Sequence, residues 1–153
     1  MLPAVQYKIL ETVSKKIVLP LFLNNITIIA SKLGSIKTKS EVQCKTLKQE
    51  LEETDLEFKI LTIGAYLKEI SEDNYELPSV HMHLCGIYEV LDNIKDELTI
   101  LNNEYEYMQT SWFYYVIGWT FYKSQVNLLN IKKYVKLLIE RYDSLLKILS
   151  TNK

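Results

Sequence analysis

The chain has 153 residues, 48 % of them apolar and 24 % charged, which is enough for one domain with a sizeable core and too short for two comfortable ones. Four glycines and three prolines argue against a turn-rich all-β fold and for long helices. The net charge of −1 hides three blocks. Residues 1–49 carry eight lysines against Glu11 and Glu41, residues 50–107 carry fifteen acids against Lys59, Lys68 and Lys95, and residues 108–153 carry seven bases against Glu140 and Asp143. A basic–acidic–basic split points to an acidic partner for the ends, or to self-association of opposite faces.

In chain order, the first predicted helix covers 4–33. Gly34 and Ser35 are expected to end it as a left-handed cap, and Pro20 to kink it. Thr38 with Glu41 fits a capping box opening a second helix over 38–73. That segment carries two stripes, Leu47–Leu51–Thr54–Phe58–Leu61–Ala65 and Leu56–Ile60–Ile63–Leu67–Ile70, which predict burial over a wide arc. The stretch 72–78 reads as a turn, with Pro78 and Ser79 opening a third helix over 79–116. Its apolar residues, Val80, Leu84, Ile87, Leu91, Ile94, Leu98, Leu101, Tyr105, Met108 and Trp112, alternate by four and three without a break. A fourth helix over 119–150 repeats the spacing through Ile131, Val135, Leu138, Tyr142, Leu145 and Leu149. The third break falls at Thr110–Ser111 or near Gly118. These lengths predict an all-α, single-domain, long antiparallel four-helix bundle of up-down-up-down order.

In such a bundle helices one and four are neighbours, which would give one basic and one acidic flank. The opposite charges would equally attract one another inside one bundle. The run TSWFYYVIGWTFY, residues 110–122, holds seven of the seventeen aromatics and would lie at the same end as Lys37 and Lys39. It reads as an end plug of the core, or as a tip that meets a membrane or a partner. The uncharged runs 17–31 and 107–122 fall short of the ~20 residues a spanning helix needs. With no basic-then-apolar leader at the start, the expectation is a soluble, intracellular, cytoplasmic protein that could associate peripherally with membrane.

His81 and Cys85 stand one helical turn apart, but zinc wants three or four ligands. Cys44 and Cys85 fall too far apart in an antiparallel hairpin to pair, so reduced thiols are expected. Glu50/Glu53 and Glu69/Glu72 form two E-x-x-E pairs, which resemble the magnesium-binding pattern of all-α nucleotide pyrophosphatases. The last position there is an Asp, and both pairs here fall on one helix, ~25–30 Å apart. No glycine-rich phosphate loop or G-x-S-x-G occurs. Arg141 is the only arginine, which speaks against nucleic acid. No enzyme activity, metal or cofactor is expected.

The segments VQCKTLKQEL (residues 42–51) and LPSVHMHLCGIYEVLDNIKDEL, followed by a final amphipathic helix, resemble the N-terminal four-helix-bundle, or HeLo-type, domain of mixed-lineage kinase domain-like proteins. The likeness covers residues 40–150 and lies in Cys44 and Leu47, in the Pro-Ser helix start and in bundle length. It implies a cell-death bundle that binds acidic lipid through basic surface residues. The leading expectation is a non-catalytic interaction or assembly module whose partner is a protein or, by self-association, another copy. The alternative is the membrane-acting bundle, with an all-α nucleotide pyrophosphatase as a minor third reading. The first two draw on one candidate surface: Lys15, Lys16, Lys37, Lys39, Lys132, Lys133 and Lys136, with Trp112, Tyr114, Tyr115 and Trp119.

Overall fold

The computed structural model describes residues 14–38, 45–110 and 117–151. Among them the chain is all-α, with five helices, one extra helical turn and no strand. Helix α1 spans Lys15–Lys37, α2 Lys45–Glu53, α3 Leu56–Glu69, the single turn α4 Glu72–Tyr75, α5 Pro78–Thr110 and α6 Ile117–Thr151.

Gly34 does not end α1. It has no positive φ, and the helix continues to Lys37 with Thr38 as its C-cap. Thr38 therefore closes α1 instead of opening the second helix, and Glu41 of the expected capping box lies outside the described residues. Pro20 sits inside α1, on its exposed side.

The second predicted helix is divided. Asp55 takes a left-handed conformation, φ 53°, and Thr54 turns its hydroxyl back onto the carbonyl of Leu51. The break exchanges the two stripes. Before it Leu51 and Thr54 are buried; after it Leu56, Ile60, Ile63, Leu67 and Ile70 are buried instead. Phe58 and Leu61 then stand 66 % and 51 % exposed, so the wide buried arc expected there is not formed. Ser71 caps α4 by accepting from the amide of Asn74, and Pro78 opens α5 as expected.

Contacts fix the directions. Lys15 at the start of α1 reaches the carbonyls of Lys68 and Ile70 at the end of α3, while Lys37 at the other end meets Glu57 at 2.8 Å. These helices are antiparallel. Phe22 packs edge-on against Tyr88, ring centroids 5.4 Å apart, and Ser35 reaches Asn102, so α1 and α5 run side by side in the same direction. Helix α6 lies antiparallel on α5, with Arg141 near Glu89 and Asn127 on Glu97. It runs parallel to α2 and α3, through Lys132–Glu50 and the Tyr66–Tyr142 ring pair.

The main packing thus sets α1 against α3 and α5, and α6 against α5, α2 and α3. The expected neighbours, helices one and four, are not a major packed pair. The core is one cluster made from these stripes, each fully buried Leu or Ile contributing about 1.5–3 kcal/mol. Gly64 lets α3 pack closely on α1, since a Cβ there would stand 3.1 Å from Ile26 Cδ1.

Candidate interaction surfaces

The neighbour order decides the charge layout. Basic α1 and α6 do not share one flank; each lies against acidic elements. Lys37 pairs with Glu57 at 2.8 Å, Lys132 with Glu50 at 3.5 Å and Arg141 with Glu89 at 3.5 Å. The hydrogen bond from Lys37 to Glu57 holds its ammonium above the ordinary range. Exposed pairs of this kind contribute ~0–1 kcal/mol each, so they trim the surface charge more than they stabilise the fold.

The predicted surface residues accordingly separate. Lys15 caps the C-terminal end of α3, where the last carbonyls of a helix lack intrahelical donors. Its Nζ also stands 5.8 Å over the ring of Tyr75. Lys16, Lys133 and Lys136 are exposed, while Lys37 and Lys132 are engaged in the pairs above. Lys39, Trp112, Tyr114 and Tyr115 lie outside the described residues. Trp119 falls within α6, but its side chain also lies outside them. The aromatic run is therefore not assigned to a plug or a tip.

Two grooves flank the α2–α3 break. The first, about 450 Å³, runs between the end of α1 and the two short helices. Its floor is Leu33, Ile36, Leu51 and Leu56, its open wall is Phe58 and Leu61, and Glu52, Asp55 and Glu57 line its rim with Lys37 and Lys48. The second, about 650 Å³, lies between α2 and α6. It brings Lys132 and Lys136 against Glu50 and Glu53, one of the two E-x-x-E pairs. One oxygen of Glu50 faces Lys132 and the other is buried without a hydrogen-bond partner. Glu69 ends α3 and Glu72 opens α4, so, against expectation, the two E-x-x-E pairs do not share one helix.

Apolar exposure was the feature missed in sequence. Besides Phe58 and Leu61, α6 exposes Leu129 (66 %) and Val126 (45 %). Both fall off the Ile131–Leu149 stripe, which was the available signal. Phe58 and Leu61 lay on a stripe that looked continuous, and only the polar pair Thr54–Asp55 hinted that it turned outward.

The remaining chemistry is muted. His81 is buried, with its Nε2 3.8 Å from the Cys85 sulfur. Burial pushes the Cys85 thiol up to about 11, so it stays protonated at neutral pH and is a poor nucleophile. Among the described residues no group of three His, Cys, Asp or Glu side chains is placed to hold a metal. Cys85 is a free thiol, and Cys44 lies outside the described residues. Half-buried polar contacts instead knit the helices. Lys95 donates to Asn25 across α1 and α5, and Glu97 accepts from Asn127 at 2.7 Å and Asn130 at 3.2 Å across α5 and α6. Comparison with family models, with curated proteins and with solved structures finds no match to this chain.

Proposed function

We propose that this chain is a non-catalytic helical interaction module that assembles with copies of itself. The observation that carries it is the pair of apolar surfaces on outer helix faces, Phe58 with Leu61 and Leu129 with Val126. Around the first stand Glu52, Asp55 and Glu57 with Lys37 and Lys48, and beside the second stand Lys132, Lys133 and Lys136. Exposed aromatic and aliphatic side chains grouped with a charged rim are the usual make-up of an association surface. A protonated Cys85 thiol and ion-paired carboxylates suit a scaffold better than a reaction centre. Hydroxyl-radical footprinting of dilute and concentrated protein tests it. Phe58 and Leu129 lose reactivity on concentration if these faces become covered; unchanged rates would contradict the reading.

A second reading has its own observation. Helix α1 has 23 residues and is long and apolar enough to cross a membrane, and 33 % of its most apolar stretch is buried in the bundle. With Lys15 and Lys16 at one end and Lys37 at the other, it supports the membrane-acting alternative, in which basic α1 and α6 meet acidic lipid as the mixed-lineage kinase domain-like resemblance implies. Vesicle co-sedimentation decides it. Binding to anionic but not neutral vesicles, weakened by salt, supports it; absence of binding at low salt removes it.

A further inference from the structure

Four residues on α6, Val126, Leu129, Lys133 and Lys136, follow one another at intervals of three, four and three. All four are exposed and share the outer side of the helix, opposite the buried Ile131, Leu138 and Leu145. Four residues beside the α2–α3 break, Leu61, Phe58, Asp55 and Glu52, follow at intervals of three in the reverse direction. They too are exposed. Each set places two apolar side chains at one end and two like charges at the other. The α6 set spans ~15 Å at helical rise, and the second set lines one groove across the α2–α3 break. Run antiparallel, the two sets match apolar against apolar and base against acid.

We infer that a second copy of this chain is the occupant of the first groove, seating the outer face of its α6 there so that Leu129 and Val126 meet Phe58 and Leu61, and Lys133 and Lys136 meet Asp55 and Glu52. This rests on the self-assembly reading above and names its surfaces. Within the groove Glu57 is held by Lys37, and Lys48 donates to the carbonyl of Lys37, while Glu52 and Asp55 stand exposed on the rim. On α6 Lys132 is held by Glu50, and Lys133 and Lys136 are exposed, Lys136 also bordering the α2–α6 groove.

Charge also selects the symmetry. Either patch paired with its own copy would set lysines against lysines or acids against acids, which costs affinity. Unlike patches therefore meet. The groove opens on the α1 side of α3, while α6 packs on the other side through Tyr66 and Tyr142. An interface between unlike, separated patches is head-to-tail, and it closes into a ring or continues as a filament.

Head-to-tail assembly is tested with two full-length variants, both changed only at exposed positions and both checked for wild-type helicity by circular dichroism. Lys133→Glu with Lys136→Glu spoils the α6 face and keeps the groove. Glu52→Lys with Phe58→Lys spoils the groove and keeps the α6 face. Sedimentation velocity is expected to show wild type growing with concentration and each variant alone held back by about tenfold or more in apparent dissociation constant, which is ~1.4 kcal/mol. Mixed one to one, the variants should recover a species capped at two chains, because one intact groove and one intact α6 face remain. If wild type associates but the variants associate equally well, this pairing is wrong and self-assembly stands. If both variants stay monomeric and mixing yields no dimer, the pairing is also wrong. If wild type is monomeric throughout, both readings fall and the groove belongs to a different partner.

Discussion

Tyr75→Phe probes the end of the bundle where α1, α3 and α4 meet. Tyr75 is 1 % exposed, and its hydroxyl donates to the carbonyl of Leu67 at 2.6 Å. Leu67 lies in the last turn of α3, whose carbonyls have run out of intrahelical donors. Phenylalanine fills nearly the same space, so no cavity opens and the loss is the hydrogen bond with its now unpaired carbonyl. That costs ~1–3 kcal/mol, or roughly 2–4 °C in Tm per kcal/mol for a chain of this size. A pH signature accompanies it. Burial pushes the Tyr75 hydroxyl up to about 12 from an ordinary 10. The neutral form is therefore favoured in the folded state, and the associated stability is intact below pH ~10 and drains as pH climbs towards 12. The wild type loses up to ~1.4 kcal/mol per pH unit from this residue in that window, and the variant does not. Tyr88 and Tyr142 are also raised by burial, but they are common to both proteins. Urea unfolding at neutral pH and at a series of alkaline values should show a gap that narrows above pH ~10. Equal stability at neutral pH, or a gap of constant width, would refute the assignment of this hydroxyl to the end of α3.

Gly34→Ala should stabilise the protein by about 0.5–1 kcal/mol, because the position is helical and a Cβ there meets nothing within 4 Å; a lower thermal midpoint would show that Gly34 does cap α1. Glu97→Ala should cost ~1–3 kcal/mol in denaturant unfolding, since buried Asn127 loses its 2.7 Å acceptor, and an unchanged midpoint would mean the α5–α6 contact contributes little. In a Cys44→Ser chain, the Cys85 thiol should react slowly with a disulfide reagent at neutral pH and speed up by roughly tenfold per pH unit on approach to about 11. Fast reaction at neutral pH would contradict a buried, protonated thiol.

The helical elements were legible because their cause is local. The four-three stripe from Val80 to Leu101 is buried at every position, and Pro78 marks the start of α5 by its fixed φ. Glycine was a poorer guide. Gly34 suits a left-handed cap, but the helix runs through it, and the left-handed residue is Asp55, a type that tolerates that conformation without advertising it. The neighbour order was not legible, since equal-length helices with matching stripes pack in more than one cyclic order. Which order forms depends on contacts between distant residues, such as Phe22 with Tyr88 and Ser35 with Asn102. From that order follow the separation of the basic helices and the engagement of Lys15 at the C-terminal end of α3. The apolar patches were hidden for a related reason: Phe58 and Leu61 carry the spacing of core residues, and only the turn at Thr54–Asp55 sets them outward.

If copies of this chain are one another's partners, sedimentation equilibrium of the full chain over a wide concentration range, at low and high salt, reads it out. The weight-average mass should climb with concentration beyond that of one chain and fall back as salt screens the lysine–carboxylate contacts. A mass fixed at that of a single chain at every concentration and both salt levels would rule self-association out.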